Sequence, residues 1–260
     1  MSDNDTYTQY DDFMGRWSRQ VATQFLDWIE VERGLRWLDV GCGAGMLAQT
    51  VIKNCAPSSV TGADPLEKSI VAAKQHPDNK NIQLEIGDAQ DLPFEDSKFD
   101  AVISGLMIKF VPDKVKAICE MKRVVRPGSV IALYDWDMDS NMNTTRHFWE
   151  AVADIIPERE KDRTTDSTPM TEIDSIAKTF EAAGVKAVQQ STISFTTRFR
   201  NLDDYWNPIT RNSQNVGRFY QTMTEEQQGA IHEQLKQSLP FADDGSISFE
   251  SRAVAVKGIA

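Results

Sequence analysis

Apolar residues along the chain fall into two rhythms. Phe13, Trp17, Val21, Phe25, Trp28 and Ile29 recur every third or fourth position, which predicts an amphipathic opening helix. From Leu35 onward, short apolar runs alternate with helical stretches. Leu35–Val40 reads as a strand entering the glycine turn of "LDVGCGAG", with a helix from Gly45. Ser58–Asp64 is a second strand and Leu66–Gln75 a second helix. "NIQLEIGDA" holds strand three and "FDAVISGL" strand four, followed by a helix near Pro112–Val125. "RPG" (Arg126 to Gly128) stops that helix before strand five at Ser129–Tyr134. Strands separated by helices imply crossover units and a parallel sheet, which binds ligands beyond its carboxyl edge where the strand order switches. The residues of interest are therefore expected after Val40, Ala63, Ile86, Ile103 and Tyr134.

Beyond strand five the alternation breaks. Residues 136–170 hold one helical pattern, Thr144–Ile156. A helix at Thr171–Ala183 and a strand at Val185–Phe195 resume it. Residues 196–223 are irregular and aromatic, and a helix at Thr224–Ser238 and a strand at Ser246–Lys257 follow. The reading is one domain over 1–260, with an N-terminal helical arm over 1–30 and lid insertions at 136–170 and 196–223.

Composition narrows the function classes. The net charge is −11, from 28 basic and 39 acidic residues, and the longest basic cluster is KRVVR at Lys122–Arg126. A nucleic-acid partner is not expected from that balance, because phosphate binding needs concentrated positive charge. No apolar run reaches the roughly 18–20 residues of a membrane span. The acidic N-terminus lacks a signal peptide's order, so a cytoplasmic protein is expected. Cys42, Cys55 and Cys119 are far apart and form no C-x-x-C, so neither a zinc site nor a disulfide framework is indicated.

The chemistry starts at the glycine turn. Gly41, Gly43 and Gly45 form G-x-G-x-G; Met46 stands where the dinucleotide fingerprint has its last glycine, and no G-K-[ST] follows. Asp39, Asp64 and Asp88 lie at the ends of strands one, two and three. A pyrophosphate disfavours such a rim of carboxylates, whereas the sulfonium and ammonium of S-adenosylmethionine favour it. Asp64 is placed to hold ribose hydroxyls and Asp88 an adenine amine.

"LDVGCGAG", "GAD", "GDAQDLPFEDSKFD" and "MKRVVRPGS" together resemble the class I S-adenosylmethionine-dependent methyltransferases, of the small-molecule type related to ubiquinone/menaquinone-biosynthesis enzymes. The resemblance implies a doubly wound, Rossmann-like α/β fold with a seven-stranded, mostly parallel sheet in the order 3-2-1-4-5-7-6 and a helical lid. It implies that Asp39, Gly41, Cys42, Gly43 and Gly45 surround the methionine part of the cofactor. Asp64, Pro65 and Leu66 would meet the ribose and adenine; Asp88, Ala89 and Gln90 the adenine edge; Ser104, Gly105 and Leu106 the sulfonium. Relatives often read L-H-H-V-P-D after strand four, whereas this chain reads M-I-K-F-V-P-D, with Lys109 in a histidine's place. "YDDFMGRWSRQ" resembles an N-terminal arm in which Arg16 or Arg19 pairs with the cofactor carboxylate and Tyr10 or Trp17 faces the sulfonium. Its alternative is a packing helix with solvated arginines.

Methyl transfer from a sulfonium needs alignment more than a fixed catalytic set. Among the histidines, His147 is the candidate general base, with an inert helix residue as its alternative. Lys109, Trp136, Trp149 and Trp206 are assigned to the acceptor side; the tryptophans serve equally well as a small satellite core. Asp135, Asp137 and Asp139 fail as a calcium loop, since Ser140 and Arg146 replace the required glycine and glutamate, and no metal is assigned. The expected activity is methylation of a small molecule at O, C or N, with an aromatic or quinone-like acceptor preferred. The alternatives are an NAD(P)-dependent oxidoreductase and a non-catalytic cofactor-binding module.

Overall fold

The computed structural model describes residues 15–137, 143–162, 173–211 and 215–260. In chain order its elements are α1 (Arg16–Ile29), β1 (Arg36–Val40), α2 (Met46–Cys55), β2 (Ser59–Asp64), α3 (Glu67–Gln75), β3 (Ile82–Ile86), β4 (Phe99–Gly105), α4 (Lys114–Val124), β5 (Val125–Trp136), α5 (Asn143–Ile155), α6 (Ile173–Ala182), β6 (Lys186–Phe199), α7 (Leu202–Arg211), α8 (Asn215–Tyr220), α9 (Glu225–Ser238) and β7 (Ile247–Ile259). The strands form one sheet in the order β3-β2-β1-β4-β5-β7-β6. β1 pairs in parallel with β2 and β4, β2 with β3, and β4 with β5, while β7 is antiparallel to β5. The doubly wound fold and the strand order expected from the sequence are both present. The order switches between β1 and β4, so the ligand crevice of such a sheet lies at their carboxyl ends.

Two compact units divide the chain, each considered over its described residues. One comprises Ser18–Asp137, Pro169–Ile193 and Ala253–Ala260; the other comprises Met1–Trp17, Met138–Thr168 and Ser194–Arg252. In the first, in-register positions Leu38, Val102 and Ile131 share one sheet face and pack with Ile118 and Met121 of α4 and Ile176 and Phe180 of α6. Val21, Ala22, Phe25 and Leu26 of α1 are buried at helical spacing, and Phe25 meets Tyr134 with ring centroids 4.9 Å apart. The second unit has an aromatic core. Phe148 packs against Trp149 and Trp206, and Trp149 against Phe219 at 4.9 Å. α9 opens with a capping box, Thr224 and Gln227 each bonding the other's backbone amide.

Two boundaries differ from expectation for clear reasons. β5 begins at Val125, directly after α4, because "RPG" forms a bulge inside the strand. Phe99 pairs with Val125 but Ala101 with Val130, and Gly128 supplies a φ of +83° within that excursion. β6 continues to Phe199, because Ile193, Phe195, Thr197 and Phe199 alternate as buried positions through a stretch that reads as irregular by composition.

Candidate functional site

The turn after β1 is built by positive-φ glycines: Gly41 at +73°, Gly43 at +51° and Gly45 at +89°. Backbone bonds close it, with Gly41 and Cys42 amides donating to the Ala63 carbonyl at 2.7 and 3.0 Å and Gly45 to Cys42 at 2.8 Å. The glycines answer different demands. A Cβ at Gly41 would collide with the Met107 side chain and one at Gly45 with the Asn79 amide at 2.8 Å, whereas one at Gly43 meets nothing within 4 Å. Gly43 therefore faces open space, as a backbone that admits a ligand must. Cys42 lies against Gly62, where an added Cβ would be 2.8 Å from its sulfur, and burial pushes its thiol well above the ordinary value. That environment suits a packing residue rather than a nucleophile.

Asp64 ends β2 and ties the turn down. Its Oδ2 accepts from the Gly43 amide and its Oδ1 from the Leu66 amide, both at 3.0 Å. Pro65 and Leu66 follow it on the surface. Leu66 is 54% exposed and Ile86, at the end of neighbouring β3, is 52% exposed, a pair of apolar side chains beyond the carboxyl edge. Asp88 accepts from the Gln90 amide at 2.8 Å, which holds its exposed carboxyl below the usual range. Gln90 in turn accepts from the Asp113 amide at 3.0 Å, and Ala89 is buried beneath. Ser104 donates to the Val40 carbonyl at 2.7 Å, Gly105 stands where a Cβ would strike the Tyr134 ring at 2.9 Å, and Leu106 has a φ of +61°. The five strand ends expected to matter are thus gathered along one edge.

Asp39 is the outlier in this assembly. It is 1% exposed, and neither carboxylate oxygen has a hydrogen-bond partner among the described residues. Burial raises its carboxyl from 3.8 to about 7; the Ala48 amide approaches closely enough to offset part of that, and the Asp64 charge adds to it. A buried carboxylate without donors is costly, and a cationic donor set would relieve it.

Asn79 was not legible as a site residue. It lies in the turn after α3, is 4% exposed, and donates to the carbonyls of Ala44 at 2.9 Å and Ala73 at 2.8 Å. Gln49 donates to its oxygen at 2.7 Å. Met107, which closes over Gly41, was also unsignalled. Each sits far along the chain from the turn it braces, in a loop whose local composition is unremarkable.

The other candidates have their own surroundings. Lys109 pairs with Asp135 at 3.0 Å, and Trp136 is 3% exposed. In the second unit, Arg16 pairs with Asp204 at 3.2 Å and covers the rings of Trp17 and Phe199 at 4.7 and 5.1 Å. Its Nε and Nη2 are buried without a partner among the described residues, so a carboxylate could complete it. His147 stacks on Phe249 at 5.1 Å with its Nδ1 3.2 Å from Glu150. Burial lowers its pKa, Glu150 opposing and Arg146 reinforcing the shift. Trp149 and Trp206 are each 8% exposed within the aromatic core. Tyr10 and Asp139 lie outside the described residues. Among the described residues, no group of three His, Cys, Asp or Glu side chains could hold a metal ion, and no helix is long and apolar enough to cross a membrane. A cavity of about 600 Å³ lies at the opposite sheet edge, lined by Leu35, Asp100, Arg126 and Ile259, and includes none of the glycine-turn residues.

A seven-stranded sheet in this order, with a reversed last strand and a glycine turn at its switch point, is the Rossmann-like fold found in methyltransferase structures. Residues 38–133 match the family described as "Methyltransferase domain". A demethylmenaquinone methyltransferase of Staphylococcus carnosus (strain TM300) is 39% identical over 116 residues, covering 44% of this chain and 46% of the relative. The chain therefore spans about half the length of that curated relative. Among solved structures, phosphoethanolamine N-methyltransferase 2 of Haemonchus contortus in complex with S-adenosyl-L-methionine superposes with a TM-score of 0.60 at 15% identity, over 100% of this chain and 60% of that one. The [4+2]-cyclase SpnF superposes with a TM-score of 0.52 at 17% identity, over 94% of this chain and 80% of that one. These likenesses define the fold, and one fold hosts more than one chemistry.

Proposed function

We propose that this chain transfers a methyl group from S-adenosylmethionine to a small-molecule acceptor. The carrying observation is the fully buried carboxylate of Asp39, answered only in part by the Ala48 amide, at the strand that leads into the open turn at Gly43. A cofactor ammonium supplies the donors Asp39 lacks, while a dinucleotide pyrophosphate would set negative charge against Asp39 and Asp64. In this reading the Gly41–Gly45 turn, with Cys42 packed behind it, cradles the methionine part. Asp64 has lone pairs left for ribose hydroxyls after accepting its two amides. Leu66, Pro65 and Ile86 offer apolar contact to the adenine, Asp88, Ala89 and Gln90 meet its edge, and Ser104–Leu106 form the floor.

When bound, S-adenosylmethionine supplies an electrophilic methyl group whose leaving group is a neutral thioether. The chain's residues bind, orient and exclude water, which is the main requirement of an in-line displacement. An aromatic or quinone-like acceptor is favoured by the name of the demethylmenaquinone relative. The stacking of half-buried His147 on Phe249 favours a structural role over proton transfer.

Calorimetric titration with S-adenosylmethionine, S-adenosylhomocysteine and NADH tests the donor assignment. Binding of the first two is expected; binding of NADH alone overturns it. Radiolabelled-methyl transfer to a panel of phenols, quinols and amines then tests catalysis. Tight cofactor binding with no transfer to any acceptor would favour the non-catalytic module.

A further inference from the structure

Lys109 and Asp135 form a pair that cofactor binding does not require. Lys109 belongs to the short turn Ile108–Phe110 after β4, fixed by backbone bonds from Phe110 to Met107 and from Val111 to Ile108. Asp135 is two residues beyond Leu133 on β5, and both alternate onto the face that packs against α4. Its side chain is fully buried. Its Oδ1 accepts from Lys109 at 3.0 Å and from the Trp136 amide at 2.7 Å. A buried carboxylate that loses its cation is strongly penalised, so Asp135 fixes the ammonium in place rather than merely meeting it.

The ammonium is only partly used. Its side chain is 20% exposed, and one of its three N–H groups goes to Asp135. No other hydrogen-bond acceptor among the described residues takes the remaining two, and the Phe110 ring lies 5.3 Å from the ammonium. The pair also occupies a useful level on the sheet. Asp39 is in register with Ile103 and Ile103 with Ala132, on the sheet face opposite Asp135, which stands three residues further towards the carboxyl edge. At strand rise that is about 10 Å beyond the level of Asp39. Between the two levels lie Ser104 and Gly105, the floor assigned to the reacting sulfonium.

Resting on the methyl-donor reading, we propose that the Asp135-anchored Lys109 ammonium binds an acceptor oxygen carrying negative charge, so that the site selects phenolate- or enolate-type acceptors over amines. An ammonium offers donors and no acceptor, which suits an oxyanion and gives a protonated amine nothing to donate to. Since the pair is neutral overall, selection comes from the fixed position of its donors. Asp135 is a positioning residue acting through Lys109.

The test uses the full chain saturated with S-adenosylhomocysteine and the chromogenic probe 4-nitrophenol, with its neutral ether 4-nitroanisole as control. Absorbance reports the probe's ionisation across the neutral pH range. The wild type is expected to bind the phenolate in preference to the phenol, lowering the bound probe's apparent pKa. Lys109→Met should weaken phenolate binding by about tenfold and abolish that shift, leaving nitroanisole and S-adenosylhomocysteine binding unchanged. Lys109→Arg should retain most of the preference, and Asp135→Asn should lose several-fold in phenolate affinity as the ammonium loses its anchor. Equal phenolate binding by wild type and Lys109→Met overturns the inference, as does absence of phenolate binding in a wild type that holds S-adenosylhomocysteine. Failure of S-adenosylhomocysteine itself to bind overturns the donor reading instead and takes this inference with it.

Discussion

The glycine-turn edge of the first unit and the aromatic core of the second treat their demanding side chains in opposite ways. At the edge, Asp39 is buried without donors and Gly43 faces open space. In the aromatic core, Trp206 packs against Phe148, Tyr220 and His232, and Phe199 against Trp17 and Tyr205. One region holds unmet interactions and open volume, which marks a place where something binds. The other fills its volume with ring-on-ring packing, which marks a place that holds shape. Substitutions in the first should change ligand affinity with modest effects on folding, and substitutions in the second should do the reverse.

The sharpest break of this contrast is Gly43→Val. The new side chain would fill the open face, and S-adenosylhomocysteine binding should be lost within the range of calorimetry. A β-branched residue at φ +51° also costs about 1–2 kcal/mol, visible as a small drop in thermal midpoint. Retained binding would remove the cradle. Next in size is Trp206→Ala, expected to destabilise its unit by about 3–5 kcal/mol, read by denaturant unfolding or hydrogen exchange, through cavity formation.

Asp39→Asn sharpens the comparison by separating stability from affinity. The native carboxyl is raised from 3.8 to about 7, so the neutral form is the one the empty fold tolerates. Stability associated with that raised value is present at acid pH and lost as pH climbs through about 7. Asparagine should therefore stabilise the empty protein at alkaline pH by about 1–3 kcal/mol while weakening S-adenosylhomocysteine binding at least tenfold. In the wild type, affinity for that ligand should fall as pH drops below 7, because a protonated Asp39 cannot pair with an ammonium. A flat affinity profile would place the ammonium elsewhere. His147→Ala carries the smallest expected effect: turnover is retained, with a modest loss of stability from the Phe249 stack.

The parallel half of the fold was legible because its signals are local. Each strand is a short apolar run, each helix has its own period, and Asp39, Asp64 and Asp88 fall directly at strand ends. The strand order rests on family resemblance, and nothing in Ser246–Lys257 encodes the reversed direction of β7. Lys109 stands out locally as a lysine in a histidine's place, but its pairing with Asp135 leaves no local trace, because 26 positions separate them. Likewise the end of β6 was missed because threonines at 196 and 197 look like loop composition, while their alternation is that of a strand. Pattern reports periodicity well and long-range contact poorly.

The Asn79 amide group spans three partners: the Ala44 carbonyl inside the glycine turn, the Ala73 carbonyl near the end of α3, and Gln49 on α2. It works as a keystone, in that the arch of the turn depends on a stone set from outside it. The familiar glycine motif is therefore not a portable module. A designer transplanting "LDVGCGAG" into another sheet would carry over the glycines and leave behind the amide that sets their shape. By the same reasoning, Gln49 and Asn79 are expected to change together, or not at all, as such a domain diversifies.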